Sequence, residues 1–139
     1  MLFEASFWLI LARLAILSVP FPWIACRIGR LHQPGTSLQN QPCDSEFSID
    51  GADTARSVSW AIDRAARVLP VQLVCLPRAI AAWQMLRRRG IRVHIHFGAS
   101  REAGLESPSS HAWVDAHGVE VTGYPEAHNC VEIGFFAQY

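Results

Sequence analysis

The sequence predicts an α+β domain, helices first and a small antiparallel sheet after them. Apolar residues recur at three-to-four-residue spacing up to the triplet Arg87, Arg88 and Arg89, and Gly90 follows as a stop. Beyond Gly90 the period becomes two, with Ile91, Val93, Ile95 and Phe97 alternating with Arg92, His94 and His96. Two short β-rich runs then flank His117-Gly118, a pair suited to a hairpin turn. At 139 residues the chain is long enough for one modest core. Residues 1–50 read as apolar helices with a polar loop, packed on the core or docking a partner, and residues 51–139 as the domain that carries the chemistry.

The first helix runs from Leu2 to about Val19, because the residue before Pro20 is pushed out of the α region. Phe3, Phe7, Ile10, Leu14 and Leu17 share one of its faces, widened by Trp8 and Leu11, and such a surface needs a cover. A short helix is expected over residues 23–31, then a loop over residues 33–42, rich in Pro, Gly, Ser, Asn and Gln. Asp50 to Asp53 start another helix, in which Val58, Ala61, Ile62, Ala65, Val68 and Leu69 keep helical spacing before Pro70. The next helix opens at Cys75; Pro77 is tolerated in a first turn, and Ala, Leu, Met, Gln and Arg behind it have high helix propensity. A strand follows over residues 91–97, a loop over 98–110, the hairpin strands over 112–116 and 119–122, and a terminal strand around Ile133, Phe135 and Phe136.

Twelve basic residues balance twelve acidic ones, which leaves no electrostatic footprint for nucleic acid. The arginine cluster reads as a solvated helix end or, more sharply, as a surface for an acidic partner. A membrane-spanning helix wants about 20 uninterrupted apolar residues. Glu4, Arg13, Pro20 and Pro22 cut the N-terminal run short, and Glu4 contradicts the basic start of a signal peptide. Lying at a membrane surface remains an alternative use of that helix. Cys26, Cys43, Cys75 and Cys130 have neither CxxC nor zinc-ribbon spacing, so reduced thiols in the cytoplasm are the expectation, with Cys43–Cys130 as a conceivable disulfide. His94-x-His96 places two rings on one strand face, but no third ligand has regular spacing, and no metal or cofactor is expected.

Cys75 is placed at a helix N-terminus, where unpaired backbone N–H groups and the helix dipole favour negative charge on sulfur. A nucleophilic thiol also needs an imidazole as base, a group that orients the imidazole, and donors for an oxyanion. His111, opening a strand after a loop, is the base expected among the six histidines. His32, His117 and His128 fall in loops or turns, and His94 and His96 read as an exposed or polar rim. Asp115, four residues along the same strand, lies about 13 Å from His111 and is out of reach. Glu126 is the carboxylate expected to orient His111, with a backbone carbonyl or the Tyr124 hydroxyl as neutral substitutes. The Cys75 backbone N–H is the expected oxyanion donor, supplemented by the Gln72 side chain.

Three segments in order, C-L-P-R-A-x-A over residues 75–81, L-R-R-R-G-I over 86–91 and S-H-A-W-V over 110–114, resemble the standalone B2 proteins of lasso-peptide biosynthesis. The resemblance extends over most of the chain from about Ser57, and the apolar N-terminal helix looks like the family less specifically. Those proteins are leader peptidases with a transglutaminase-like, papain-related core. The resemblance implies a helix carrying the catalytic cysteine packed on a small antiparallel sheet, Cys75 and His111 as catalytic residues, and no metal. It further implies a precursor-peptide substrate delivered by a separate B1-type recognition protein, whose freed core passes to an ATP-using macrolactam synthetase. The chain has no room for the recognition domain of fused family members, so a partner is expected, with residues 2–17 as its docking surface. One position departs from the pattern: many members carry an Asp where this chain has Gly123.

The function expected is therefore a cysteine endopeptidase that removes the leader from a ribosomally made lasso precursor. An acyltransferase or transglutaminase on the same fold is an alternative, with an amine in place of water as acceptor. A non-catalytic binding subunit is another, motivated by Gly123.

Overall fold

The computed structural model describes residues 1–35, 49–70, 74–100 and 109–137. Its helices are α1 (Leu2–Ser18), α2 (Phe21–Ile28), α3 (Ile49–Val68) and α4 (Cys75–Arg87). Strands β1 (Arg30–His32), β2 (Ile95–Ser100), β3 (Ser110–Ala116), β4 (Val119–Thr122) and β5 (Cys130–Ala137) form an antiparallel sheet in the order β1-β5-β2-β3-β4. The architecture is the expected α+β arrangement, with α4 against β3 and with α1 and α3 packed beside it.

The helix contacts are made largely by alanines. Ala5 of α1, Ala55 and Ala61 of α3, and Ala79 and Ala82 of α4 are fully buried, so the backbones approach closely before larger side chains meet. Leu9, Ile62, Met85 and Leu86 fill the remaining space, joined from the sheet by Ile95, Val114 and Phe136. Truncating Leu9 or Leu86 to Ala would cost about 2–5 kcal/mol.

Both ends of α4 follow from local chemistry. The Gly90 N–H donates to the Arg87 carbonyl at 3.0 Å and the Ile91 N–H to the Leu86 carbonyl at 3.1 Å, with Gly90 at φ +76. This paired reversal closes a helix with a left-handed residue, which glycine adopts without strain. At the other end Val74 is extended and no side chain caps the first turn.

Within the arginine triplet Arg87 and Arg88 are exposed, as a solvated helix end implies, whereas Arg89 is drawn into a pair within the chain. Arg89 grips the Glu4 carboxylate with Nη1 at 3.1 Å and Nη2 at 2.6 Å, and its Nη1 also donates to the Met85 carbonyl at 2.8 Å. The Arg88 guanidinium lies 6.0 Å from the Trp8 ring and Arg87 lies 5.2 Å from Trp83. Glu4, the charge that interrupts the N-terminal apolar run, thus ties α1 to the end of α4. Ala5, Leu9 and Ala12 face inward from α1, whereas Phe3, Phe7, Ile10, Leu14 and Leu17 face outward. No helix among the described residues is long and apolar enough to cross a membrane.

The sheet departs from expectation at its ends. Ile91 and Val93 are buried as the alternation implies, but β2 begins only at Ile95, where β5 supplies the first ladder partner, Phe136. The same strand runs on to Ser100, into the stretch read as loop. β1 is unanticipated: its three residues pair with β5 but carry no alternation long enough to see. The hairpin stands as expected, turning through His117 at φ 50 and Gly118 at φ 73, both left-handed as a two-residue turn of this hand requires. The loop expected over residues 33–42 lies outside the described residues from position 36 on, as does Cys43 of the conceivable Cys43–Cys130 pairing. Cys26 and Cys75 are free thiols.

Candidate functional site

Cys75 is the first residue of α4 and is half-buried, packed against the helix-side core. Its backbone N–H precedes the first intrahelical acceptor, so it faces no helical partner. Gln72, the other expected oxyanion donor, lies outside the described residues.

His111 is the second residue of β3, opposite Gly98 of β2. Its Nε2 lies 2.7 Å from the Gly123 carbonyl oxygen. A carbonyl only accepts, so Nε2 carries the proton and donates it, which leaves Nδ1 as the lone-pair nitrogen. The orienting group is therefore a backbone carbonyl, one of the two neutral substitutes expected, and not the Glu126 carboxylate. Glu126 begins a 3-10 turn over Glu126–Asn129 and points to solvent. That turn carries the chain away from the β4 ladder, which ends at Thr122, so sequence distance beyond the hairpin does not convert into reach toward His111.

Gly123 explains the missing acid. Its φ is +90, and a Cβ there would lie 2.6 Å from the Ala112 carbonyl oxygen and 2.6 Å from the Trp113 Cβ. The backbone is pressed against β3 closely enough for its own carbonyl to reach the imidazole, and a side chain is excluded in the same act.

Ala112 and Val114 of β3 pack into the helix-side core, while His111, Trp113 and Asp115 alternate onto the other side of the strand. There a layer of rings and carboxylates spans β3, β2 and β5. His111 and Trp113 lie 6.3 Å apart with planes 20° from parallel, and Trp113 and His96 lie 5.7 Å apart at 14°. His96 Nδ1 lies 2.6 Å from Glu132 Oε1 and its Nε2 lies 3.2 Å from Asp115 Oδ1. Facing acceptors on both nitrogens, His96 is a doubly donating imidazolium. Burial alone would lower its pKa, but the hydrogen bonds it donates to Asp115 and Glu132 prevail and hold it above the ordinary histidine value. His94, lacking such partners, is pushed down by burial and by the neighbouring His96 charge. Tyr124 is pushed up, by burial first and then by the carboxylates of Asp115, Glu120 and Glu132, so its hydroxyl stays protonated.

The expected reading of His94 and His96 as a polar rim is thus corrected for His96, whose side chain is only 12 % exposed. Alternation placed it on the right face, but the carboxylates that enclose it come from two other strands and leave no signal at its own position. Both ring nitrogens of His96 are occupied, so His96 has no lone pair to give a metal there. No group of three or more His, Cys, Asp or Glu among the described residues is arranged to hold a metal ion.

No hydrogen bond joins Cys75 to His111 among the described residues. The structure sets the cysteine at the head of α4 and the histidine at the head of β3, two elements that touch, with the imidazole already oriented by Gly123. A family model described as transglutaminase-like superfamily matches residues 15–132, which takes in Cys75, His111 and the whole sheet as far as Glu132. No curated protein and no solved structure was found to match the chain.

Proposed function

The chain belongs to the transglutaminase-like superfamily, and on that premise we propose that it is a cysteine endopeptidase that removes the leader from a ribosomally made lasso precursor. The observation that supports this most is the imidazole tethered at the head of β3, donating Nε2–H to Gly123, on a strand that packs against the helix beginning with Cys75. In this reading Nδ1 of His111 accepts the thiol proton and the Cys75 sulfur attacks the scissile carbonyl. The backbone N–H of Cys75, with no helical acceptor, donates to the oxyanion. The imidazolium then protonates the leaving amine, and water hydrolyses the thioester. A carbonyl at Nε2 fixes the tautomer as a carboxylate would, but stabilises the imidazolium less. Cysteine and histidine have to meet within hydrogen-bond reach for this, and catalytic hydrogen bonds commonly tighten only around substrate.

The precursor specificity rests on the three motif segments and on the exposed apolar face of α1, which offers a recognition protein a helical docking surface. The macrolactam synthetase would consume the freed core, and the cytoplasm would keep Cys75 reduced.

The test is cleavage of full-length precursor in the presence of the recognition protein. Cys75→Ala and His111→Ala should each abolish leader release, typically by several orders of magnitude, without unfolding the chain. Near-normal turnover by Cys75→Ala ends the peptidase reading. The absence of a Cys75–His111 hydrogen bond favours one second reading, a binding subunit without catalysis. Wild-type protein that binds precursor or partner but releases no leader, and leaves Cys75 no more reactive than exposed Cys26, would establish it.

A further inference from the structure

A single hydrogen bond at Nε2 leaves the His111 ring free to pivot about the line to the Gly123 oxygen. A second contact is needed to set its plane, and the Trp113 indole is the ring beside it, 20° from parallel. Trp113 is itself held: it is buried, and its Cη2 sits over Gly98, where a Cβ would come within 2.8 Å. Directly across the ladder from Trp113 is His96, at 14° from parallel. His96 is fixed in turn at both nitrogens, by Asp115 from β3 and Glu132 from β5. The Phe135 ring on β5 lies 6.0 Å away, and His94 lies 6.2 Å away as the other titratable neighbour.

We propose that His96, clamped between Asp115 and Glu132, is a positioning residue that acts through Trp113 to set the plane of the His111 imidazole. This rests on the reading of His111 as the base for Cys75. Orientation matters where the third member is a neutral carbonyl: with less electrostatic help, more depends on the lone pair of Nδ1 being aimed. A buried imidazolium held at both ends is a stiffer support than the apolar side chain that strand alternation would otherwise place there. Misplacement of a reacting group by about an ångström costs up to about a hundredfold in rate, so a loosened support is measurable.

The experiment is peptide-resolved alkylation of Cys75 by iodoacetamide at neutral pH in the full chain, with exposed Cys26 as internal control. The difference between wild type and His111→Ala defines the His111-dependent rate. His96→Gln and Trp113→Leu should each lower that rate by about tenfold while Cys26 reacts as before, and Trp113→Phe, which keeps an aromatic face, should recover most of it. With precursor as substrate, kcat should fall and KM stay unchanged. His96→Gln, Asp115→Asn and Trp113→Leu all reacting at the wild-type rate, with His111→Ala still slow, would overturn the positioning role and leave the peptidase reading standing. Equal Cys75 alkylation in wild type and His111→Ala would overturn both together. Should His96→Gln fail to fold, Asp115→Asn at a half-exposed side chain decides: a loss of about threefold or more supports the proposal, and the wild-type rate refutes it.

Discussion

Placing an Asp at position 123, where the related pattern carries one, should fail to complete a triad at His111. Gly123 has φ +90, which costs a residue with a side chain about 1–3 kcal/mol. A Cβ there would also stand 2.6 Å from the Ala112 carbonyl oxygen, 2.6 Å from the Trp113 Cβ and 2.8 Å from the Trp113 Cα. Two of these three atoms are backbone within β3 and do not yield as a flexible side chain would, so overpacking adds about 1–3 kcal/mol. The sum, about 2–6 kcal/mol, is a large part of a domain stability of about 5–15 kcal/mol. Because the cost belongs to the Cβ, Gly123→Ala should carry most of it. Denaturant unfolding of wild type, Gly123→Ala and Gly123→Asp measures the loss, and leader release should fall in both variants as the carbonyl is displaced from Nε2 of His111. Gly123→Asp with wild-type stability and faster cleavage would refute the reasoning, because it would show that the strand relaxes and a carboxylate takes over the imidazole.

Glu126→Gln should leave cleavage unchanged and stability within about 0.5 kcal/mol, since the side chain is exposed; a clear loss of leader release would restore Glu126 as the orienting carboxylate. Glu4→Gln should cost about 1–2 kcal/mol at neutral pH in thermal or denaturant unfolding, because it weakens the charge-assisted grip of Arg89. That grip holds the Glu4 carboxyl below its ordinary value of 4.5. Its contribution is therefore full above about pH 4.5 and lost as pH falls through the lower folded value, so the two proteins should converge in acid. Ser at Phe7 or at Ile10, which are 57 % and 43 % exposed, should leave folding intact. If Phe7 is an anchor for the recognition protein, its loss weakens binding by about 2 kcal/mol, roughly thirtyfold in Kd, and titration calorimetry with an unchanged Kd would remove α1 from the interface.

What the sequence determined by itself were the features written locally. Pro20 and Gly90 end helices through their own backbone preferences, and Val19 and the Leu86–Ile91 reversal adopt the geometry those residues call for. Hydrophobic period distinguished α3 and α4 from the strands, and His117-Gly118 specified the hairpin. The helix that opens at Cys75 and the strand bearing His111 were legible for the same reason. Only the tertiary structure decided what surrounds them. Glu4 meets Arg89 across 85 positions, and Glu132 meets His96 across 36, pairings no local window contains. The acceptor for His111 depended on where β4 leaves its ladder and on a main-chain oxygen, which every residue possesses and no residue type announces. Side-chain identity carries chemistry that a sequence reports directly, whereas backbone groups and long-range charge pairs acquire their partners only when strands close into register.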